Sequence, residues 1–114
     1  MTIVISQAAG KLYTNPPRIA VTTASVDRLA IDMTNSIRPG EVMDSVAASL
    51  VRVDPEPETA VADFVTATEI DSPDILIDFD GGVLVQQQVY RLEVLVTMNT
   101  GTVVPRLTYF ECET

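Results

Sequence analysis

The sequence predicts an all-β protein, and three of its features support that class. Several segments alternate apolar and polar residues with a period of two, which is the pattern of a half-buried strand. Turn sequences containing glycine or proline separate these segments. The 114 residues are 46% hydrophobic but only 5% aromatic, so one domain with a mainly aliphatic core is expected.

The clearest alternation lies near the C-terminus. One face of a predicted strand carries Tyr90, Leu92, Val94, Val96 and Met98. A hairpin is predicted at residues 99–102, followed by a return strand over Val103–Glu111. On that return strand Leu107 and Tyr109 favour one buried face, whereas Phe110 and Cys112 favour the other, so its inward face stays open.

Earlier segments predict further strands. Leu29, Ile31 and Met33 alternate with Ala30, Asp32 and Thr34, and Phe64–Ile70 and Ile75–Phe79 follow the same period. Val42–Val53 also fits a helical stripe, but its valine and serine content favours a strand. Roughly six or seven short strands between turns predict a small immunoglobulin-like β-sandwich, with a jelly roll or a small barrel as the alternative.

The N-terminal region differs from the remainder. We expect residues 1–25 to form an extended arm and a first strand near Ile19–Thr23, and residues 26–114 to form the sandwich. Pro16 and Pro17 force an extended backbone. Two roles are open for the β-prone segment Ile3, Val4 and Ile5: addition to the sheet edge of a neighbouring protein, or the first strand of the chain's own sandwich. The N-terminus lacks the basic region of a signal peptide.

The distribution of charge limits the partners. The formal net charge is −9, and residues 41–80 carry eleven acids against Arg52 alone, a net of −10. Residues 1–40 carry four basic residues against two acids, a net of +2. Binding to nucleic acid or to an anionic membrane needs a basic surface, so neither is expected. No apolar run reaches the roughly 20 residues of a bilayer span.

The residues needed for common catalytic chemistry are missing. The chain has no histidine and a single cysteine, Cys112, which excludes Ser-His-Asp and Cys-His systems and the usual zinc sites. Asp71, Asp74, Asp78 and Asp80 precede a Gly-Gly pair, as in part of a calcium loop, but the glutamate that closes an EF-hand loop is absent. We therefore interpret these acids as a solvated face and expect no enzyme activity, no cofactor and no metal. A calcium- or ligand-binding sandwich and a carboxylate hydrolase are the rival interpretations.

Two long segments resemble a known family. DRLAIDMTNSIRPGEVMDSVAASL at residues 27–50 and ILIDFDGGVLVQQQVYRLEVLVTMNTGTVVPRLTYFECE at residues 75–113 resemble small tailed-phage virion proteins of the fibre–tail adaptor type. The resemblance lies in the order of the features Ile31-Asp32, Val42–Val53, Ile77, Phe79, Gly81, Gly82, Tyr90, Thr97 and Gly101.

The resemblance implies a virion structural protein that is made in the bacterial cytoplasm and assembles as an oligomer with tail, fibre or major capsid proteins. Met33 in place of an aromatic residue, the acidic insertion Asp54–Asp63 and the longer arm depart from the family pattern, so a capsid decoration role stays open. The residues expected to contact partners are Ile3, Val4, Ile5, Pro16, Pro17, Gln86, Gln87 and Gln88. The three glutamines supply donors and acceptors for a partner's backbone, although a polar loop tip is the simpler interpretation.

Overall fold

A computed structural model of the chain describes residues 3–7 and 12–113, with the backbone alone for residues 3–7, Asn15 and Pro16. Within these residues there are nine strands and two 3-10 turns, at Thr34–Ser36 and Gly81–Val83. The strands are β1 (Ile3–Gln7), β2 (Tyr13–Thr22), β3 (Val26–Asp32), β4 (Met43–Asp54), β5 (Thr59–Val61), β6 (Val65–Asp71), β7 (Asp74–Asp80), β8 (Val89–Met98) and β9 (Val103–Glu113).

The strands form two packed sheets, which confirms the predicted all-β sandwich. One sheet has the order β5-β4-β8-β9-β2 and the other the order β1-β3-β7-β6. Gln7 of β1 pairs with Asn15 of β2 and joins the two sheets along one side. Neighbouring strands are antiparallel except for two parallel pairs, β1 with β3 and β2 with β9.

The core lies between the sheets and is mainly aliphatic, as expected. Leu29, Ile31, Ile75 and Ile77 of one sheet and Leu92 of the other are fully buried. At the centre the rings of Phe64, Phe79 and Phe110 contact one another, with centroids 5.1 to 5.4 Å apart. Burying a side chain of this size stabilises the fold by about 1.5–3 kcal/mol, so these buried residues together hold the two sheets against each other.

The structure decides the orientations that the sequence left open. Residues 43–54 form a strand, as favoured, and the apolar face of β8 points inward. On β9 the inward face is that of Phe110 and Cys112, and it also carries Arg106 and Thr108. Two polar residues on the buried face explain why alternation alone could not orient this strand.

The N-terminal residues belong to both sheets. The backbone of Ile3–Gln7 runs parallel to β3 in register from Ile3 opposite Arg28 to Gln7 opposite Asp32, in line with the second of the two predicted roles. β2 begins at Tyr13, earlier than expected, and its pairing with β9 shifts register between Tyr13 and Arg18. Pro16 and Pro17 lie within this irregular stretch, and since proline has no N–H, neither residue can donate a ladder hydrogen bond there.

Candidate interaction surfaces

A loop of residues 81–88 between β7 and β8, here called the end loop, is held firmly at one end of the sandwich. The N–H of Gly81 donates to the carbonyl of Ser25 at 2.6 Å. A Cβ at Gly81 would lie 2.3 Å from the carbonyl oxygen of Thr22, so glycine is required for this close approach. The carboxylate of Asp80 accepts a bond from the N–H of Gly82 at 2.8 Å.

The second half of the end loop is anchored by Tyr90 and by the end of β9. The hydroxyl of Tyr90 accepts a hydrogen bond from the N–H of Val85 at 2.8 Å and donates one to the side-chain oxygen of Gln88 at 3.1 Å. The N–H of Gln87 donates to the carbonyl of Cys112 at 2.7 Å, and the N–H of Cys112 donates to the carbonyl of Gln88 at 3.0 Å. The loop is therefore preorganised although it lies at the surface.

The end loop presents a mixed surface to solvent. Val85 is 55% exposed and Val83 37% exposed, and the side chains of Gln86 and Gln87 are also exposed. Beside them lies an open pocket of about 420 Å³ that is lined by Gln87, Val89, Glu111, Cys112 and Glu113. We call Val83, Val85, Gln86, Gln87 and this pocket the end surface. It combines apolar side chains, amides and carboxylates, which together suit a protein partner.

The predicted partner-contacting residues do not form one cluster. Ile3, Val4 and Ile5 lie in β1 of the four-stranded sheet, and their side chains are outside the described part of the structure, as is the side chain of Pro16. Pro17 is exposed on β2 of the other sheet. Gln86 and Gln87 lie at the tip of the end loop, whereas Gln88 is half-buried and supports the loop through Tyr90. A contact of β1 with another chain stays a prediction.

A second surface, which the sequence did not predict, is the outer face of the five-stranded sheet. Leu95 of β8 is 47% exposed there and pairs with Ala47 on one side and Pro105 on the other. Tyr13 stacks on Tyr109 with ring centroids 6.1 Å apart. We call this set of uncharged outer-face residues the apolar strip: Tyr13, Ala47, Leu95, Val103, Pro105, Leu107 and Tyr109.

Charged side chains beside the apolar strip bind one another. Arg91 contacts Glu93 at 2.7 Å and Glu58 at 2.8 Å, and hydrogen bonding to Glu93 raises the pKa of Arg91. Arg18 forms an ion pair with Glu111 and lies over the ring of Tyr109, 5.5 Å from its centroid. The two arginines and three carboxylates of these pairs give a local net charge of −1, so this face differs from the acidic remainder of the chain.

Two of the four acids considered for calcium, Asp78 and Asp80, serve separate structural contacts. Asp78 binds Arg28 through two bonds, of 2.6 and 3.2 Å, and this hydrogen bonding lowers the pKa of the Asp78 carboxyl. Asp80 accepts the bond from the end loop. Among the described residues there is no group of three His, Cys, Asp or Glu side chains placed to hold a metal ion.

Cys112 and Arg106 are buried within the fold rather than available for chemistry at the surface. Cys112 is 3% exposed, and burial raises the pKa of its thiol, which disfavours the reactive thiolate. Arg106 is 6% exposed and donates to the hydroxyl of Ser36 at 2.7 Å, while desolvation lowers its pKa. Within the described part of the chain no helix has the length and apolar character to span a membrane.

Comparisons with known proteins leave the family open. No protein-family model matches the sequence, and a search of curated proteins finds no relative.

Proposed function

We propose that the protein is a non-enzymatic structural component of a tailed bacteriophage particle, where it bridges other virion proteins as a fibre–tail adaptor. The phage assignment rests on the sequence pattern around Ile31-Asp32 and the Gly81-Gly82 turn. The binding role rests on the end surface, because an exposed apolar and amide-bearing loop held by its own hydrogen bonds pays little ordering entropy when a partner docks.

The chemistry of the end surface indicates its partner. Val83 and Val85 supply apolar contact, and Gln86 and Gln87 supply amide donors and acceptors. The neighbouring pocket adds the carboxylate of Glu113 and that of Glu111, which already pairs with Arg18. A protein segment that pairs an apolar residue with a lysine or arginine would complement all three features, and a basic partner would also be attracted by the net charge of −9.

The hydrogen bonding of Tyr90 supports the immunoglobulin-like form that the adaptor family implies. Tyr90 lies near the start of β8, and its hydroxyl accepts a hydrogen bond from the backbone N–H of Val85, five residues upstream in the end loop. This resembles the tyrosine corner of immunoglobulin-like sandwiches, in which a tyrosine near the start of a strand bonds the preceding corner. The order β1-β3-β7-β6 of one sheet and the order β4-β8-β9 within the five-stranded sheet also support this form.

The location of the chain in a virion tests the proposal and separates the two phage roles. Phage particles grown from a genome that encodes the chain are labelled with gold-coupled antibodies and viewed by electron microscopy. Label at the tail or at the fibre attachment region supports the adaptor, and label distributed over the head supports the alternative of a capsid decoration protein. Particles without label would overturn both roles.

A pair of matched substitutions tests the end surface. Val85→Asp places a charge on the exposed end loop, and Val42→Asp does the same at a 59% exposed valine beside the hairpin at the other end of β8. We expect Val85→Asp to lower incorporation into particles at least tenfold and Val42→Asp to leave it unchanged. Equal incorporation of the two variants would exclude the end surface as the binding site.

A further inference from the structure

The outer face of the five-stranded sheet carries a projection and a hollow side by side. Leu95 projects into solvent, and next to it a hollow of about 140 Å³ is lined by Ala47, Ala48, Ser49, Glu93 and Leu95 itself. The small side chains of β4 opposite β8 leave this space. Its volume is on the order of the 150 Å³ that removal of a leucine side chain leaves in a protein core, so the hollow can receive a leucine.

This arrangement is self-complementary under a two-fold rotation. In an isologous contact, a residue that inserts into a site on the partner is matched by the same residue of the partner inserting in return. A two-fold axis through the apolar strip brings Leu95 of each copy against the hollow of the other. Pro105, Leu107 and Tyr109 extend the uncharged contact area around it.

The charge distribution favours the same contact between copies. Two chains of net charge −9 repel each other, and the repulsion is weakest where the facing surfaces carry little charge. The apolar strip has no charged residue, and Glu93, which lines the hollow, is paired with Arg91. Together the pairs of Arg91 and Arg18 with their carboxylates add only −1. A basic partner, in contrast, would gain more from the acidic surfaces elsewhere on the chain.

We infer that the protein forms a two-fold symmetric dimer through the apolar strip, with Leu95 of each copy seated in the hollow beside Ala47 of the other. This inference does not depend on the virion role and leaves the end surface free for a different protein. A dimer would carry two free end surfaces, one on each copy, and could therefore bind two other protein chains at once, as a bridging protein must.

Sedimentation equilibrium of the purified full chain tests the dimer. We expect the wild-type protein to reach twice the 12.3 kDa of one chain as concentration increases. Leu95→Asp should weaken association at least thirtyfold, the loss typical of a central contact residue. Val26→Asp is the matched control, because it introduces the same charge at a 56% exposed valine of the other sheet and should leave association unchanged.

A second variant addresses the hollow itself. Ala47→Leu fills the hollow without adding charge and should weaken association at least tenfold, while circular dichroism confirms the fold of each variant. Higher salt should strengthen the dimer because it screens the repulsion between two acidic chains. The inference is overturned by a wild-type protein that stays monomeric at every concentration, by a dimer that tolerates both Leu95→Asp and Ala47→Leu, or by a dimer that salt dissociates.

Discussion

Replacement of Gly81 by alanine probes how the end loop is held. The added Cβ would lie 2.3 Å from the Thr22 carbonyl oxygen and 3.1 Å from that of Ser25, and both are backbone atoms that cannot rotate away. The loop must then move outward, which stretches the 2.6 Å bond from Gly81 to Ser25. Overpacking costs about 1–3 kcal/mol and a lost hydrogen bond about 0.5–1.5 kcal/mol, so we expect a loss of about 2–4 kcal/mol.

Urea and thermal unfolding followed by circular dichroism measure this loss. For a domain of this size we expect Tm to fall by roughly 8–16 °C. Gly82→Ala is the control in the same loop, because its Cβ would meet the Asp80 side chain at 3.0 Å, and that side chain can adjust. A loss below about 0.5 kcal/mol for Gly81→Ala, or a loss no larger than that of Gly82→Ala, would show that the loop does not depend on this close approach.

Four other predictions concern the core, the acids and the N-terminus. Leu92→Ala should cost about 2–5 kcal/mol because Leu92 is fully buried, whereas Leu95→Ala on the outer face should cost less than about 1 kcal/mol in the monomer; equal losses in urea unfolding would contradict the assigned faces. A calcium chelator should leave Tm unchanged, and a fall of several degrees would indicate a bound ion. Hydrogen bonds from Thr34 and Arg28 lower the pKa values of Asp32 and Asp78. These carboxylates therefore stabilise the fold above the unfolded pKa of about 3.9, and the stabilisation is lost as the pH falls through their folded pKa values. A urea midpoint as high at pH 3 as at pH 6 would contradict this. Deletion of residues 1–17 should destabilise the isolated protein because β1 and part of β2 are lost from the sheets, and an unchanged fold with lost partner binding would instead support an arm that reaches another subunit.

The sequence predicted the fold class because the strongest strands alternate cleanly. In β8 and in β7 the inward residues are apolar, and their period determines both strand type and face. β5 escaped prediction because it has only three residues and follows the proline-rich acidic loop. β1 lies parallel to β3, and this pairing joins residues that are distant in the sequence, so the local alternation of apolar and polar residues could not predict it.

The candidate surfaces were predictable only in part. The Gln86–Gln88 run was recognisable as an exposed polar turn, but the anchoring of the loop by Tyr90 depends on a side-chain contact that composition does not reveal. The apolar strip arises from lateral register, which places Leu95 between Ala47 and Pro105 from separate strands. In the sequence, Leu95, Ala47 and Pro105 each resemble an ordinary surface residue, and they become neighbours only when the sheet forms.

Cryo-electron microscopy of a phage particle that contains the chain can show whether this sandwich binds other protein chains through its end surface. We expect Val85, Gln86 and Gln87 to contact a different virion protein, and a basic side chain of that protein to lie near Glu113. A reconstruction in which the chain is present but these residues face solvent on every copy would contradict it.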